Sequence, residues 1–86
     1  MMDIRTLLHR ATRELTAGGS PSPRLDAEVL LMNFLKTDRV QLYMHPEREL
    51  SEEECAGFTL WVERRRRGEP VAYITGVKEF WSLFFE

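Results

Sequence analysis

Ile4, Leu7, Leu8, Ala11 and Leu15 recur at intervals of three and four residues. That period winds the apolar side chains onto one face of an α-helix, whereas a strand changes face every second residue. Arg5, Arg10, Arg13 and Glu14 fall mostly off the stripe, so the segment reads as a helix from about Asp3 to Thr16. Asp3 is placed to cap its start and Gly18-Gly19 to stop it. A helix with one apolar stripe must bury it against something, and the rest of the chain supplies more helices.

Ser20-Pro21-Ser22-Pro23 punctuates the chain. Ser22 suits an N-cap and Pro23 the first helical position, which predicts a second helix to about Leu35. Its apolar residues, Leu25, Val29, Leu30, Met32 and Leu35 with Ala27 and Phe34, occupy more than one face, as in a helix with neighbours on several sides. The stretch Thr37–Met44 reads as a short third helix, with Asp38 and Gln41 in capping-box register. Pro46 disfavours helix at His45, so HPER is a connection. The fourth helix has the clearest start: Ser51 and Glu54 form an S-x-x-E capping box, and Leu50 is placed to staple onto Cys55. Cys55, Phe58, Trp61 and Val62 make its inward stripe, and Gly68 ends it. Pro70 opens a last short turn, PVAYIT, closed by Gly76. No internal repeat recurs at a fixed period.

After Gly76 the pattern changes. Four of the nine aromatic residues, Phe80, Trp81, Phe84 and Phe85, fall in the last seven positions. KEFWSLFFE is too short and too aromatic for another bundle helix and reads as a strand. A lone strand leaves backbone donors and acceptors unpaired, and the chain offers no second strand to pair with it. The expectation is a mainly α fold, a small bundle of four to five helices followed by one C-terminal β-strand that forms half of an interdomain hairpin. Residues 1–76 are then a helical domain and 77–86 the start of a link to another. The chain is expected to be a fragment cut at a domain boundary.

Eighty-six residues hold one domain at most. With 43% hydrophobic and 30% charged residues, the middle of the chain is not disordered. A net charge of −2 argues against a general nucleic-acid binder. Apolar runs such as VLLM are too short to span a bilayer, and MMDIRTLLHR lacks the apolar core of a secretory signal. A cytoplasmic location is the default expectation.

Arg64, Arg65, Arg66 and Arg67 form the most conspicuous charge run. They fall in the last turn of the fourth helix, while Glu52, Glu53 and Glu54 fall in its first, so both ends complement the helix dipole. The functional alternative is a docking patch for phosphate or an acidic protein surface, although four consecutive helical positions cannot all face one partner. His9 and His45 have no nearby Cys or second His at ligand spacing, and no metal site is expected. Cys55 sits on an apolar stripe as an inert thiol. Asp26 and Glu28 suit the helix dipole and local salt bridges better than acid-base work. Trp61 reads as core. Gly18, Gly19, Gly57, Gly68 and Gly76 assemble no G-x-G-x-x-G or P-loop, and Ser20, Ser22, Ser51 and Ser82 occupy no nucleophile elbow. No catalytic residue and no cofactor-binding residue is expected in this chain.

The stretch RRRRGEPVAYITGVKEFWSL resembles the end of the N-terminal domain of the HemK/PrmC family, the peptide-chain release factor glutamine methyltransferases. Arg64, Arg65, Gly68, Glu69, Pro70, Ala72, Tyr73, Ile74, Gly76, Glu79, Phe80 and Trp81 fit the family pattern in register, and PRLDAEVLL at Pro23–Leu31 is similar to its R-x-D-A-E-x-L-L helix. The resemblance implies a helical bundle, then a hairpin leading into a Rossmann-like domain that binds S-adenosylmethionine. It implies transfer of a methyl group to the side-chain nitrogen of the glutamine in a Gly-Gly-Gln motif of class I release factors. An amide nitrogen is a poor nucleophile, so that chemistry depends on orienting it, in the family through an Asn-Pro-Pro-Tyr motif. The sole asparagine here, Asn33, precedes Phe34, so that motif is absent. The resemblance leaves this chain the part of a recognition domain. It meets release factors and its own catalytic domain, the latter through Phe80, Trp81, Phe84 and Phe85, and it binds no cofactor itself. The alternative is a free-standing helical adaptor that inserts its aromatic tail into a partner. A small RNA-binding bundle is a third reading, weakened by the acidic balance.

Overall fold

The first apolar stripe forms helix α1, Ile4–Ala17, in the computed structural model, which describes residues 2–76. Ile4, Leu7, Leu8, Ala11 and Leu15 are all buried, so the three-four spacing read from the sequence is the core face. Asp3 caps the helix by accepting a 2.8 Å hydrogen bond from the Thr6 amide. Helix α2, Pro23–Leu35, begins at the expected proline. Helices α3 (Arg39–Met44), α4 (Glu52–Arg66) and α5 (Val71–Thr75) follow.

The start of α4 has the full capping box, with Ser51 Oγ accepting from the Glu54 amide and the Glu54 carboxylate from the Ser51 amide. At α3, only the Asp38 half forms, accepting from the Gln41 amide. Ser22 stands at the N-cap of α2, but its side chain makes no capping bond. The turn is organised by Ser20 instead, whose Oγ accepts from the Ser22 amide and donates to Asp26. Gly68 and Gly76 adopt positive φ, 103° and 75°, where a side chain would be strained.

One element was not anticipated. Met2–Asp3 (β1) and Glu49–Leu50 (β2) form a two-residue antiparallel pair, Met2 opposite Leu50 and Asp3 opposite Glu49. Two residues carry too little pattern to read as a strand. The expected C-terminal strand, with Phe80, Trp81, Phe84 and Phe85, lies outside the described residues.

The pair fixes how the helices run. β1 leads directly into α1 and β2 leads through Ser51 into α4, so both helices start at the same end. At the other end, Gly18 lies so close to Arg66 that a Cβ there would come within 2.7 Å of the arginine stem. Helices α1 and α4 are therefore parallel, and α2, joined to α1 by a tight turn, runs against both. Leu15, Leu30, Leu31, Leu42, Leu50 and Phe58 are fully buried among these helices, each worth about 1.5–3 kcal/mol relative to exposure. Phe34 of α2 packs edge-on against Trp61 and tilted against Phe58. It reaches α4 over Gly57, where a Cβ would stand 2.8 Å from its ring. A glycine in mid-helix, costing about 1 kcal/mol in propensity, is thus explained by the ring that needs the space.

The inward stripe of α4 is narrower than expected: Phe58 and Val62 are buried, while Cys55 and Trp61 are half-buried at its edge. Leu25 faces solvent, and Asp26 and Glu28 are buried in its place.

Candidate functional site

The four arginines at the end of α4 do different things. Arg65 reaches across to α2, its Nε 2.9 Å from Asp26 Oδ2, and its other arm donates to the Glu69 carbonyl at 3.2 Å. The Arg65 and Asp26 side chains are only 20% and 11% exposed, so this pair lies largely out of water. Ser20 Oγ donates to the same Asp26 oxygen at 2.7 Å. One carboxylate thereby joins the α1–α2 turn, helix α2, the end of α4 and the turn into α5. Arg64 grips Glu69 through Nε and a terminal nitrogen, at 3.0 and 2.8 Å. That hydrogen bond holds the Glu69 carboxyl below the usual carboxylate range, against a smaller effect of burial. Arg66 pairs with Glu63, one turn back, at 3.6 Å. Arg67 is the C-cap and makes no ion pair among the described residues, although its charge also acts on Glu69. The dipole reading of the run fits as well, with Glu52, Glu53 and Glu54 in the first turn and Arg64, Arg65 and Arg66 in the last.

Glu28 is a second buried node. It takes Arg24 at 3.0 Å, Arg39 of α3 at 3.1 Å and the Tyr43 hydroxyl. Burial pushes its pKa up, but the Tyr43 and Arg24 hydrogen bonds and the charges of Arg24 and Arg39 outweigh burial and leave it below the ordinary value. Salt bridges for Asp26 and Glu28 were expected, but only Arg24 is local; Arg65, Arg39 and Tyr43 come from other elements.

Helix α1 presents the opposite case. Arg5, His9, Arg10 and Arg13 are exposed on the side away from its core stripe. None of its three arginines makes an ion pair among the described residues; Arg10 touches only the Met2 sulfur, at 3.8 Å. Beside this face, between α1 and α4, lies a groove of ≈ 360 Å³, floored by Leu7, Ala11, Phe58 and Val62 and edged by two arginines and two carboxylates, Arg10 and Arg66 with Glu14 and Glu63. A more open hollow of ≈ 570 Å³, lined by His9, Arg10, Arg13, Glu14 and Arg66, shares Arg10, Glu14 and Arg66 with it. Sequence reading passed over these arginines because no two of them are adjacent. Their signal was the shared helix face.

Among the described residues no three His, Cys, Asp or Glu side chains gather as metal ligands. Cys55 is a free, half-buried thiol near the Leu50 carbonyl. His9 is exposed, and His45 lies 3.8 Å from Glu47. No helix among the described residues is long and apolar enough to cross a membrane.

Comparison with known proteins identifies this architecture. Residues 6–76 match the family model described as the PrmC N-terminal domain. The chain is 48% identical over 82 residues to the release factor glutamine methyltransferase of Aliivibrio fischeri, covering 95% of this chain and 29% of that protein. It is 44% identical over 84 residues to the one from Koribacter versatilis, covering 98% and 30%. To the one from Shewanella oneidensis it is 51% identical over 69 residues, covering 80% and 24%. The chain therefore spans less than a third of the length of these relatives. No solved structure matches it. With helices α2 to α5, their caps, the Gly-Glu-Pro turn and all but the first two residues of α1 inside the matched range, the chain belongs to the PrmC N-terminal domain family.

Proposed function

We propose that residues 1–76 are the substrate-recognition domain of a cytoplasmic release factor glutamine methyltransferase, and that 77–86 begin the link to its catalytic domain. The observation that carries this is the family match over residues 6–76, together with relatives of that name at 42–51% identity. In this reading the parent enzyme transfers a methyl group from S-adenosylmethionine to the Gly-Gly-Gln glutamine of class I release factors. Phe80, Trp81, Phe84 and Phe85 supply contact to the catalytic domain.

In this reading S-adenosylmethionine is held by the catalytic domain. The two hollows beside α1 are lined by Arg10 and Arg66 together with Glu14, one also by Glu63 and the other by Arg13. The described glycines line no phosphate- or nucleoside-type loop, since each closes a turn or, at Gly57, admits an aromatic ring. The role left to this domain is to hold the release factor so that the amide nitrogen is presented in register, a contribution of positioning.

Within that role, Arg64 to Arg67 divide. Arg64, Arg65 and, more loosely, Arg66 are engaged inside the domain, so any docking contribution from the run falls first to Arg67. Two measurements test the proposal. The 86-residue chain titrated with S-adenosylmethionine by calorimetry is expected to show no saturable binding; micromolar binding would count against it. A full-length enzyme carrying this domain is expected to methylate an intact release factor and to lose efficiency when residues 1–76 are deleted.

A further inference from the structure

Helix α4 is stopped by its own backbone. The Gly68 amide donates to the Arg65 carbonyl at 2.9 Å, and the Glu69 amide donates to the Arg64 carbonyl at 3.1 Å. Gly68 supplies the φ of 103° that this reversal needs. Two such bonds and one glycine complete an ordinary helix end. The arginine side chains of the same turn then add three more bonds, all to Glu69. Arg64 holds its carboxylate at 3.0 and 2.8 Å, and Arg65 donates to its carbonyl at 3.2 Å. Ending the helix does not require them.

These bonds fix the direction that the chain takes after the helix. Glu69 is held by its amide, its carbonyl and its carboxylate. Pro70 follows with φ −60°, a torsion that its ring locks. The Pro70 carbonyl accepts from the Tyr73 and Ile74 amides, at 3.0 and 3.2 Å, and so begins α5. Five residues are too few to keep a helix by themselves, so α5 depends on buried Ile74, on Val71 against the core and on the elbow before it. The elbow is referred back to the bundle. Arg65 is tied to Asp26 of α2 at 2.9 Å, and Asp26 to Ser20 of the α1–α2 turn at 2.7 Å. Three parts of the bundle thereby bear on the one turn that carries the chain toward residues 77–86.

We infer that Glu69, clamped between Arg64 and Arg65, is a positioning residue for the methyl transfer: it sets the angle between the recognition bundle and the catalytic domain, and so where a bound release factor presents its glutamine. This rests on the proposed function, since the domain being aligned is the catalytic domain of that enzyme. The lever is long. A tilt of about 5° at one end of α4, 15 residues and so about 22 Å, moves its other end by about 2 Å, and a partner gripped by the bundle turns with it. A misplacement of about 1 Å at the reacting atoms can cost about 100-fold in rate. A small loosening of the elbow is therefore felt in the chemistry before it is felt in binding.

The test uses full-length enzyme, intact release factor and S-adenosylmethionine. Glu69 is partly exposed, so Glu69→Ala leaves the core intact. It is expected to lower the single-turnover rate at saturating release factor about tenfold. The release-factor concentration giving half that rate, and the affinity for S-adenosylmethionine, are expected to stay unchanged. Glu69→Gln keeps an acceptor for Arg64 and is expected to hold the rate within about twofold. Pro70→Gly leaves both arginines in place, frees the φ and is expected to lower the rate about threefold. Glu53→Ala makes the same truncation and charge change at an exposed position in the first turn of α4, and is expected to change nothing. An equal fall there would show that charge alone sets the rate, and the inference fails. An unchanged rate in Glu69→Ala overturns the positioning role while leaving the proposed function standing. A loss confined to release-factor affinity makes Glu69 a docking contact, and a loss of S-adenosylmethionine affinity places the effect inside the catalytic domain; either overturns the inference. Failure of the unsubstituted enzyme to methylate any release factor overturns both.

Discussion

The run Arg64–Arg67 and the spaced arginines of α1 are similar in charge and opposite in use. Three of the four consecutive arginines are held by carboxylates, one of them largely out of water. The three on α1 stand in solvent without such partners among the described residues. A block of one residue type on a helix points around most of its circumference, so some members must face inward and be neutralised there. Residues at helical spacing share a face and can remain available together. Prominence in the sequence is thus a poor guide to availability.

The largest effect that would break this contrast is at Arg65. Arg65→Ala leaves Asp26, whose side chain is 11% exposed, without its guanidinium and frees the Glu69 carbonyl. A loss of about 2–3 kcal/mol in urea denaturation is expected, below the range for fully buried pairs because Arg65 is partly wetted. A loss under about 0.5 kcal/mol would place Arg65 with the α1 arginines. Glu28→Gln is expected to cost about 1.5 kcal/mol at neutral pH, through weakened bonds to Arg24 and Arg39. The same carboxylate gives the contrast a pH signature. Its folded pKa is depressed, so its contribution is complete above the unfolded value of about 4.3 and is lost as pH falls through the folded one. Glu69 adds in the same direction. Melting temperature should therefore drop below about pH 4, and less steeply in Glu28→Gln. Ser51→Ala, at the opposite end of α4, should cost about 1 kcal/mol and sets the scale of an ordinary local contact. Arg13→Ala should change stability by less than about 0.5 kcal/mol, and a larger loss would show that α1's charge has a structural use.

Much of the fold was legible because it is local. The stripe of α1, the Ser51–Glu54 box and the punctuation by Gly18, Pro23, Gly68 and Gly76 each act within a few residues. What escaped reading acts at a distance. Arg65 and Asp26 are 39 residues apart and Tyr43 and Glu28 are 15 apart, so no spacing rule connects them. Leu25 was assigned inward on hydrophobicity, yet the ion pairs of Asp26 and Glu28 turn those carboxylates inward and leave Leu25 outside. The need for Gly57 is likewise set from 23 residues away, by the Phe34 ring that packs against it. The groove itself is a product of two helices brought together: both stripes that floor it, Leu7 and Ala11 on α1 and Phe58 and Val62 on α4, were legible, but no spacing rule says that they meet.

The two-residue ladder between Met2 and Leu50 has a consequence for synthesis. Helix α1 is made first, but the segment that fastens its beginning is translated 48 positions later. At about 5–20 residues per second, the nascent amphipathic helix waits several seconds for its clasp. During that interval α2, already translated, can cover part of its leucine face, while the side that meets α4 stays open to solvent and to whatever chaperone attends the emerging polypeptide.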